Sequence, residues 1–210
     1  MTPLAWILLA SAAAVAAVDW AAAARADARA ERRVRPLVSV ALIATACAVD
    51  PADRAQRAAF VVALVLSLAR DLLGPRGRRG YTAAVAASLA AHLAYVVGFQ
   101  QVGWSWLWAA AGIVVVLVAT LGYAVRLVLS VRAKEPALTP TVVAYTGVLS
   151  LMVVAASATG RPTAVAGAFL FSCSDALGGW NRFREETPHA RLAITVSYHL
   201  ARILLVLSLV

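Results

Sequence analysis

The segment Gly167–Phe183, GAFLFSCSDALGGWNRF, decides how the whole chain is interpreted. Its apolar residues suit a helix in lipid, yet Asp175 lies near its middle, and Asn181 and Arg182 follow about two turns later. An ionisable side chain inside a bilayer costs roughly 2.5–3.5 kcal/mol on insertion scales, so it tends to face the bundle interior and to mark a functional or paired site. The segment therefore predicts a membrane helix that carries part of a polar site.

The rest of the chain has the same apolar character. Hydrophobic residues occupy 62% of the 210 positions and charged residues only 14%, a balance foreign to soluble domains of this size. Apolar runs of about 20 residues, the length that crosses a hydrocarbon core as a helix, alternate with short charged segments. We predict an all-α polytopic membrane protein, a single integral membrane domain over residues 1–210 with eight transmembrane helices. The predicted spans are Pro3–Ala24, Pro36–Val49, Arg57–Leu73, Tyr81–Gln100, Ser105–Leu127, Pro140–Ala158, Pro162–Trp180 and Leu192–Val210.

The net charge of +9 is confined largely to alternate loops. Fourteen Lys and Arg residues fall between the first and second, third and fourth, fifth and sixth, and seventh and eighth spans, whereas three fall in the other loops. By the positive-inside rule the fourteen are cytoplasmic and both termini lie outside. This pattern favours an integral membrane protein over the alternative, a nucleic-acid-binding surface, and we expect that membrane to be a bacterial plasma membrane. No Lys or Arg precedes the first apolar run, so we interpret that run as a span and not as a signal peptide.

The two halves of the chain resemble each other weakly. A shift of 104 residues aligns Asp71 with Asp175, and the segment DLLG is then aligned with DALG. A shift of 107 aligns AHLA, which contains His92, with YHLA, which contains His199. Either the chain consists of two parallel four-helix repeats, as in some transporters, or these are chance matches in an Ala-, Leu- and Val-rich sequence. A true repeat would place Asp71 and Asp175 at the same depth, near the cytoplasmic ends of their spans.

Few ionisable residues lie inside the predicted spans, and they are the candidates for a site. They are Asp19, Arg70, Asp71, His92, Asp175, His199 and Arg202, with Tyr95, Asn181 and Tyr198 as neighbouring hydrogen-bonding groups. Helical spacing puts His92 and Tyr95 on one face, and it puts Tyr198 and His199 on a face shared with Arg202. Two acids, one arginine and two histidines converging in lipid favour a functional site over simple packing.

Several of these residues have simpler interpretations. Asp19, beside Trp20 near a span end, is expected to be an interfacial cap, and Arg70 is expected to extend to the membrane surface. Arg202 lies mid-helix and should pair with Asp71 or Asp175. His92 and His199 could also ligate a haem between helices, although a companion pair is missing. No metal site is predicted, since the chain has no CxxC or HExxH spacing.

At these residues the chain resembles the lysoplasmalogenase family, the YhhN-like and transmembrane-86-like membrane proteins. The family signature Gly-x-x-Leu-Phe-x-x-Ser-Asp-x-Leu-x-x-x-Asn-[Lys/Arg]-Phe is reproduced by the opening segment. Looser marks are Arg35-Pro36, SLARD ending at Asp71, His92 with Tyr95, and Tyr198 followed by Ala201-Arg202. Three positions depart from the family pattern, namely Arg35 for Lys, Arg70 for Gly and Arg202 for Gln.

The resemblance implies an eight-helix hydrolase that cleaves the vinyl-ether bond of a lysoplasmalogen, a lysophospholipid, into a fatty aldehyde and a glycerophospho-base. Asp71 and Asp175 would then be the catalytic acid and base, a division of labour that burial makes available to two carboxylates. The expected partners are membrane lipids, and neither a cofactor nor a nucleic-acid partner is expected. The remaining expected site residues are His92, Tyr95, Asn181, Tyr198, His199 and Arg202 for positioning substrate and water, and Arg78 and Arg182 for the head-group phosphate at a cytoplasmic mouth. The alternative is a lipid or proton-coupled transporter without hydrolytic activity.

Overall fold

The protein is described by a computed structural model that covers the backbone of residues 1–74, 77–185 and 187–210, and the side chains of 1–74, 80–185 and 187–210. Its described part is all-helical. The helices are α1 Pro3–Ala24, α2 Ala28–Ala48, α3 Arg54–Leu73, α4 Gly77–Phe99, α5 Trp106–Ala119, α6 Val125–Lys134, α7 Thr139–Ala158, α8 Pro162–Phe183 and α9 Ala190–Leu207. A π-helical turn, Thr120–Ala124, joins α5 to α6, and a 3₁₀ turn, Pro136–Leu138, precedes α7.

The helix starts follow from local sequence. Thr2 accepts a hydrogen bond from Ala5 N at the start of α1, and Pro3 occupies the first helical position. Asp27 and Asp53 accept in the same way at the starts of α2 and α3. Such caps satisfy amide groups that the first turn of a helix leaves unpaired. The cap at Asp27 explains why α2 begins eight residues before the predicted Pro36, which lies inside the helix.

Five helical segments of the described chain are long and apolar enough to cross a membrane: α1, α4, the continuous α5–α6 unit, α7 and α9. Their outward residues include large apolar side chains such as Trp106, Leu107 and Leu121, each more than 70% exposed. The protein is therefore an all-α integral membrane protein. The predicted number of eight spans is not confirmed, because α2, α3 and α8 do not meet the same requirement of length and apolar composition.

Glycines and alanines let the helices approach closely. A methyl group on Gly167 of α8 would lie 3.0 Å from the carbonyl oxygen of Ala201 and 2.9 Å from Leu205, both on α9. On α4, a methyl group on Gly98 would lie 2.6 Å from the Phe60 ring of α3. Close contact through small residues is the usual way in which helices associate in lipid. It fixes the α3–α4 and α8–α9 pairs, and α3 and α8 carry Asp71 and Asp175.

An aromatic core lies between these two pairs. The Phe60 ring packs edge-on against Tyr95 and Phe99, with ring centroids 4.9 and 5.2 Å apart. Phe171 of α8 contacts both Tyr95 and Tyr198. Because these rings are buried, they form a rigid base beneath the polar groups described below.

Candidate functional site

A cavity of about 1130 Å³ lies between the helices. Its charged lining residues come from α2, α3, α8 and α9, and they are Glu31, Arg32, Arg35, Arg70, Asp71, Asp175, Arg182 and Arg191. Apolar lining side chains come from the α5–α6 unit, from α7 and from the first half of α8, among them Val116, Leu149, Val153 and Phe169. A cavity that is charged in one part and apolar in another suits an amphipathic molecule with a hydrocarbon tail.

Asp71, near the end of α3, is held by side chains from two other helices. Ser39 Oγ of α2 donates to Asp71 Oδ2 at 2.8 Å, and Tyr198 OH of α9 donates to Oδ1 at 3.1 Å. Arg202 Nη1 lies 3.5 Å from Oδ2 and also donates to Ser39 Oγ. Arg202 is fully buried and the Asp71 side chain is 4% exposed. The expectation that Arg202 pairs with a membrane acid is confirmed, and Asp71 is that acid.

Asp175, in the middle of α8, has a different set of partners. Arg70 Nη2 donates to Oδ1 at 3.0 Å, and Tyr145 OH of α7 donates to Oδ2. His92 Nε2 of α4 lies 3.4 Å from Oδ2. Ser88 Oγ of α4 extends this chain, since it lies 2.7 Å from Tyr145 OH. The expectation that Arg70 extends to the membrane surface is wrong, because a nearby buried carboxylate offers its guanidinium a stronger partner.

Tyr198 connects the two carboxylates. Its ring lies 3.8 Å from Arg202 Cζ and 4.7 Å from Arg70 Cζ. Its hydroxyl binds Asp71, while Arg70 binds Asp175. Both carboxylates line the same cavity. The predicted convergence of Asp71 and Asp175 on one site is thus seen in the fold.

A third charged cluster joins α1, α2 and α9. Arg35 donates from Nε to Asp19 Oδ2 and from Nη2 to Glu31 Oε2, both at 3.0 Å. Arg191 Nε donates to the other oxygen of Glu31 at 2.6 Å, and Thr195 accepts from Arg35. The Asp19 side chain is completely buried. Its predicted role as an interfacial cap is wrong, because α2 begins early enough to bring Arg35 against α1.

The two histidines lie in different clusters. His92 neighbours Asp175, whereas His199 Nε2 lies 3.5 Å from Asp19 Oδ2 and its ring stacks on Trp20. His199 does not line the cavity, so a haem held between the two imidazoles is not supported. Tyr95 is also buried behind the cavity wall, where its ring packs on Phe60.

Three further residues that the sequence places at the site are Arg182, Asn181 and Arg78. Arg182 lines the cavity and lies 3.8 Å above the Tyr81 ring. Asn181 instead accepts from Thr187 N at 2.8 Å and so shapes the α8–α9 loop. The side chain of Arg78 lies outside the described residues.

Sequence reasoning missed several polar residues of the site. Arg35 and Ser39 are four residues apart on α2, a spacing that puts them on one helix face, and this was the available signal for Ser39. Tyr145 is the lone tyrosine of α7, and a single aromatic residue in an apolar helix gives no indication of a carboxylate partner. Glu31 lies outside the predicted second span, Pro36–Val49, and therefore was not among the ionisable residues expected inside the membrane.

The chain matches the model of the YhhN family over residues 30–209. Among curated proteins it is 36% identical over 124 residues to the human protein named lysoplasmalogenase TMEM86B, and equally similar to the pig protein of that name. The match covers 59% of this chain and 51% of each relative, so the chain spans about half the length of the curated relatives it matches. No solved structure matches the chain.

Proposed function

Because the chain belongs to the YhhN family, we propose that it is a membrane-embedded hydrolase that cleaves the vinyl-ether bond of lysoplasmalogens or a related alkenyl lysolipid. The products would be a fatty aldehyde and a glycerophospho-base. Two relatives bear the name lysoplasmalogenase, which agrees with this chemistry. The proposal covers all eight helical segments as spans, with the site between them.

The observation that carries the proposal is the pair of ion-paired carboxylates at one amphipathic cavity. Asp71 is paired with Arg202, and Asp175 with Arg70. The side chains of both acids are almost completely buried. Groups held this way keep a fixed position and gain electrostatic strength in a poorly solvated site. The apolar wall of α5 and α7 supplies room for the hydrocarbon chain.

The reaction needs a proton donor, a negative charge and one water molecule. One carboxyl group delivers a proton to the vinyl carbon that is not bonded to the ether oxygen, and an oxocarbenium ion results. The other carboxylate stabilises this cation and takes a proton from the water that attacks it. The hemiacetal then collapses to the aldehyde: its hydroxyl proton goes to the first carboxylate, and the second carboxyl group gives the proton it took from water to the departing glycerol oxygen, which leaves as an alcohol. Water is consumed, and both carboxyl groups return to their starting states.

The neighbouring hydroxyl groups suit the supply of protons and the placement of water. Ser88 and Tyr145 form a hydrogen-bonded chain that ends at Asp175. Tyr198 and Ser39 bind Asp71 and fix the direction of its oxygens. His92 contributes a second polar group beside Asp175. In this proposal these residues position acid, base and water and do not bond to the substrate.

Isotope labelling tests the proposed chemistry directly. Purified protein is incubated in D₂O with alkenyl, alkyl and acyl lysolipids that share one head group, and the products are reduced at once and weighed by mass spectrometry. The proposal expects aldehyde from the alkenyl lipid alone, with a single deuterium on the carbon next to the carbonyl. Cleavage of the alkyl or acyl lipid at a similar rate would contradict it, as would an aldehyde without deuterium.

A second candidate function, transport of a lipid or of a proton-coupled small molecule, is favoured by a different observation. Asp71 of α3 is contacted by residues of the preceding helix, α2, and of the last helix of the second half, α9. Asp175 of α8 is contacted in the same way by residues of the preceding helix, α7, and of the last helix of the first half, α4. Such crosswise exchange suits two parallel repeats. Transport predicts substrate movement into proteoliposomes with no chemical change, so the same mass measurement separates the two functions.

We also propose that the termini lie outside and that the cavity opens toward the cytoplasm. The support is that Arg32, Arg182 and Arg191, which line the cavity and are exposed, belong to the basic loops that the positive-inside rule assigns to the cytoplasm.

A further inference from the structure

The charges around the cavity do not cancel. Among the described residues five arginines and three carboxylates line it, which leaves a net charge of +2. The surplus is the same when buried partners behind the wall are included. Asp71 is matched by Arg202, Asp175 by Arg70, and the two acids Asp19 and Glu31 by Arg35 and Arg191.

Arg32 and Arg182 are the two lining arginines that this pairing leaves over. Arg32 donates to the carbonyl oxygen of Ala28, and Arg182 lies over the Tyr81 ring. Within the described part of the chain neither forms an ion pair with a carboxylate, and both are exposed at the cavity. A guanidinium in this situation keeps its fork of N–H donors available to a phosphate.

The same cavity offers little to a positively charged head group. Ammonium groups are bound by unpaired carboxylates or by the open faces of aromatic rings. Glu31, the lining acid nearest the start of α2, already receives hydrogen bonds from Arg35 and Arg191. Three aromatic rings of the charged part of the cavity already carry a guanidinium: Tyr81 lies under Arg182, Trp180 under Arg184, and Tyr198 under Arg70 and Arg202.

We propose that the lipid bound in this cavity carries a head group of net negative charge, a phosphate monoester or an anionic phosphodiester such as phosphoglycerol, and that Arg32 and Arg182 recognise its phosphate. Zwitterionic ethanolamine and choline head groups place a cation where the wall is already positive. This inference rests on the proposed function for the identity of the lipid tail and extends it to the polar end of the substrate.

The test begins with binding, which does not depend on catalysis. Alkyl-ether lysolipids of one chain length, with phosphate, phosphoglycerol, phosphoethanolamine or phosphocholine heads, are titrated against the purified full chain in detergent. Tryptophan fluorescence reports occupancy. We expect the two anionic lipids to bind about tenfold more tightly than the zwitterionic pair, as one additional charge-assisted contact predicts. Equal or tighter binding of the zwitterionic lipids overturns the inference.

Substitutions then locate the preference. Arg32→Gln and Arg182→Gln should each reduce the preference for anionic lipids several-fold. The affinity for the anionic lipids should fall, and the affinity for the zwitterionic lipids should stay the same. Arg33→Gln is the matched control, because Arg33 is exposed and adjoins Arg32 on α2 without lining the cavity. A preference that survives both substitutions, or that falls equally in the control, overturns the assignment to these residues.

Hydrolysis of the corresponding alkenyl lipids separates this inference from the proposed function. With an active enzyme, the preference should appear in KM, and Arg182→Gln should raise KM for anionic substrates while kcat changes little. If every alkenyl lipid stays intact while the binding preference holds, the hydrolase proposal fails and the anionic site stands. If aldehyde forms fastest from the zwitterionic lipids at low KM, the hydrolase proposal stands and the anionic site fails.

Discussion

Asp71 and Asp175 are the same residue type in different surroundings. Asp71 receives two hydroxyl groups and a fully buried arginine, whereas Asp175 receives one hydroxyl group, an arginine that lines the cavity, and an imidazole at 3.4 Å. Two carboxyl groups in unlike surroundings can take unlike roles in acid–base catalysis. Neither set of partners follows from the spacing of residues along the chain.

Asp71→Asn and Asp175→Asn should each reduce aldehyde release at least about 100-fold, because an amide neither delivers nor accepts the proton that the reaction needs. Initial rates with an alkenyl lysolipid measure the loss. Size-exclusion profiles in detergent should match that of the parent protein. Asp53→Asn, which alters only the cap of α3, serves as the control. Full activity in either site variant would rule out the two-carboxylate mechanism.

Tyr145→Phe should slow turnover about tenfold, since it removes the hydroxyl that joins Asp175 to Ser88 while leaving the ring in place. One hydrogen bond to a charged group is worth about 1.5–3 kcal/mol. The control is Tyr123→Phe, because the Tyr123 hydroxyl donates to the backbone oxygen of Ala176 and not to a carboxylate. Equal kcat values in the two variants would contradict a role for the Ser88–Tyr145–Asp175 chain in proton supply.

Asp19→Asn should destabilise the protein without removing its chemistry. The side chain is fully buried against Arg35 and lies outside the cavity lining. Removing one partner of a buried ion pair costs about 3 kcal/mol, a cost that the remaining Glu31 contact partly offsets. Thermal unfolding in detergent should show a lower midpoint, with kcat unchanged below the transition. Unchanged stability would mean that this pair contributes nothing to the fold.

At the scale of elements, the packing of α8 on α9 determines where Asp175 lies relative to Tyr198. Gly167→Val should push these helices apart, because even a methyl group would lie 3.0 Å from the Ala201 carbonyl oxygen. Overpacking of this kind costs about 1–3 kcal/mol. We expect a lower unfolding midpoint together with lower activity.

Gly147→Val, on α7, is the matched control for Gly167→Val, since nothing lies within 4 Å of an added methyl group there. Both changes place the same side chain inside a helix, beyond its first turn. Comparable loss in the two variants would show that helix propensity, and not the contact between α8 and α9, governs the effect.

For the whole molecule, the number of spans determines where the termini lie. Eight crossings return both ends to the same side of the membrane, whereas the five helices that meet the length and composition requirement would leave them on opposite sides. Cys47 and Cys173 are first replaced by Ser, and single cysteines are then introduced at Thr2 and Val210. Labelling of intact cells with an impermeant maleimide should modify both. Protection of one terminus would exclude the eight-span topology.

The sequence by itself determined the membrane class and the approximate positions of the helices, and it marked Asp71 and Asp175 as candidate acids, because apolar periodicity and the cost of a charge in lipid are properties of the local chain. It did not determine the partners. That Arg70 binds Asp175, that Arg35 binds Asp19, and that Tyr145 joins the site depends on which helices pack together. Arg70 and Asp175 are 105 residues apart in sequence. They meet because small residues pack α3 on α4 and α8 on α9, and the aromatic core joins these two pairs. The surplus of two arginines at the cavity was also decided by the tertiary structure, because it can be counted only once the ion pairs of the buried acids are known.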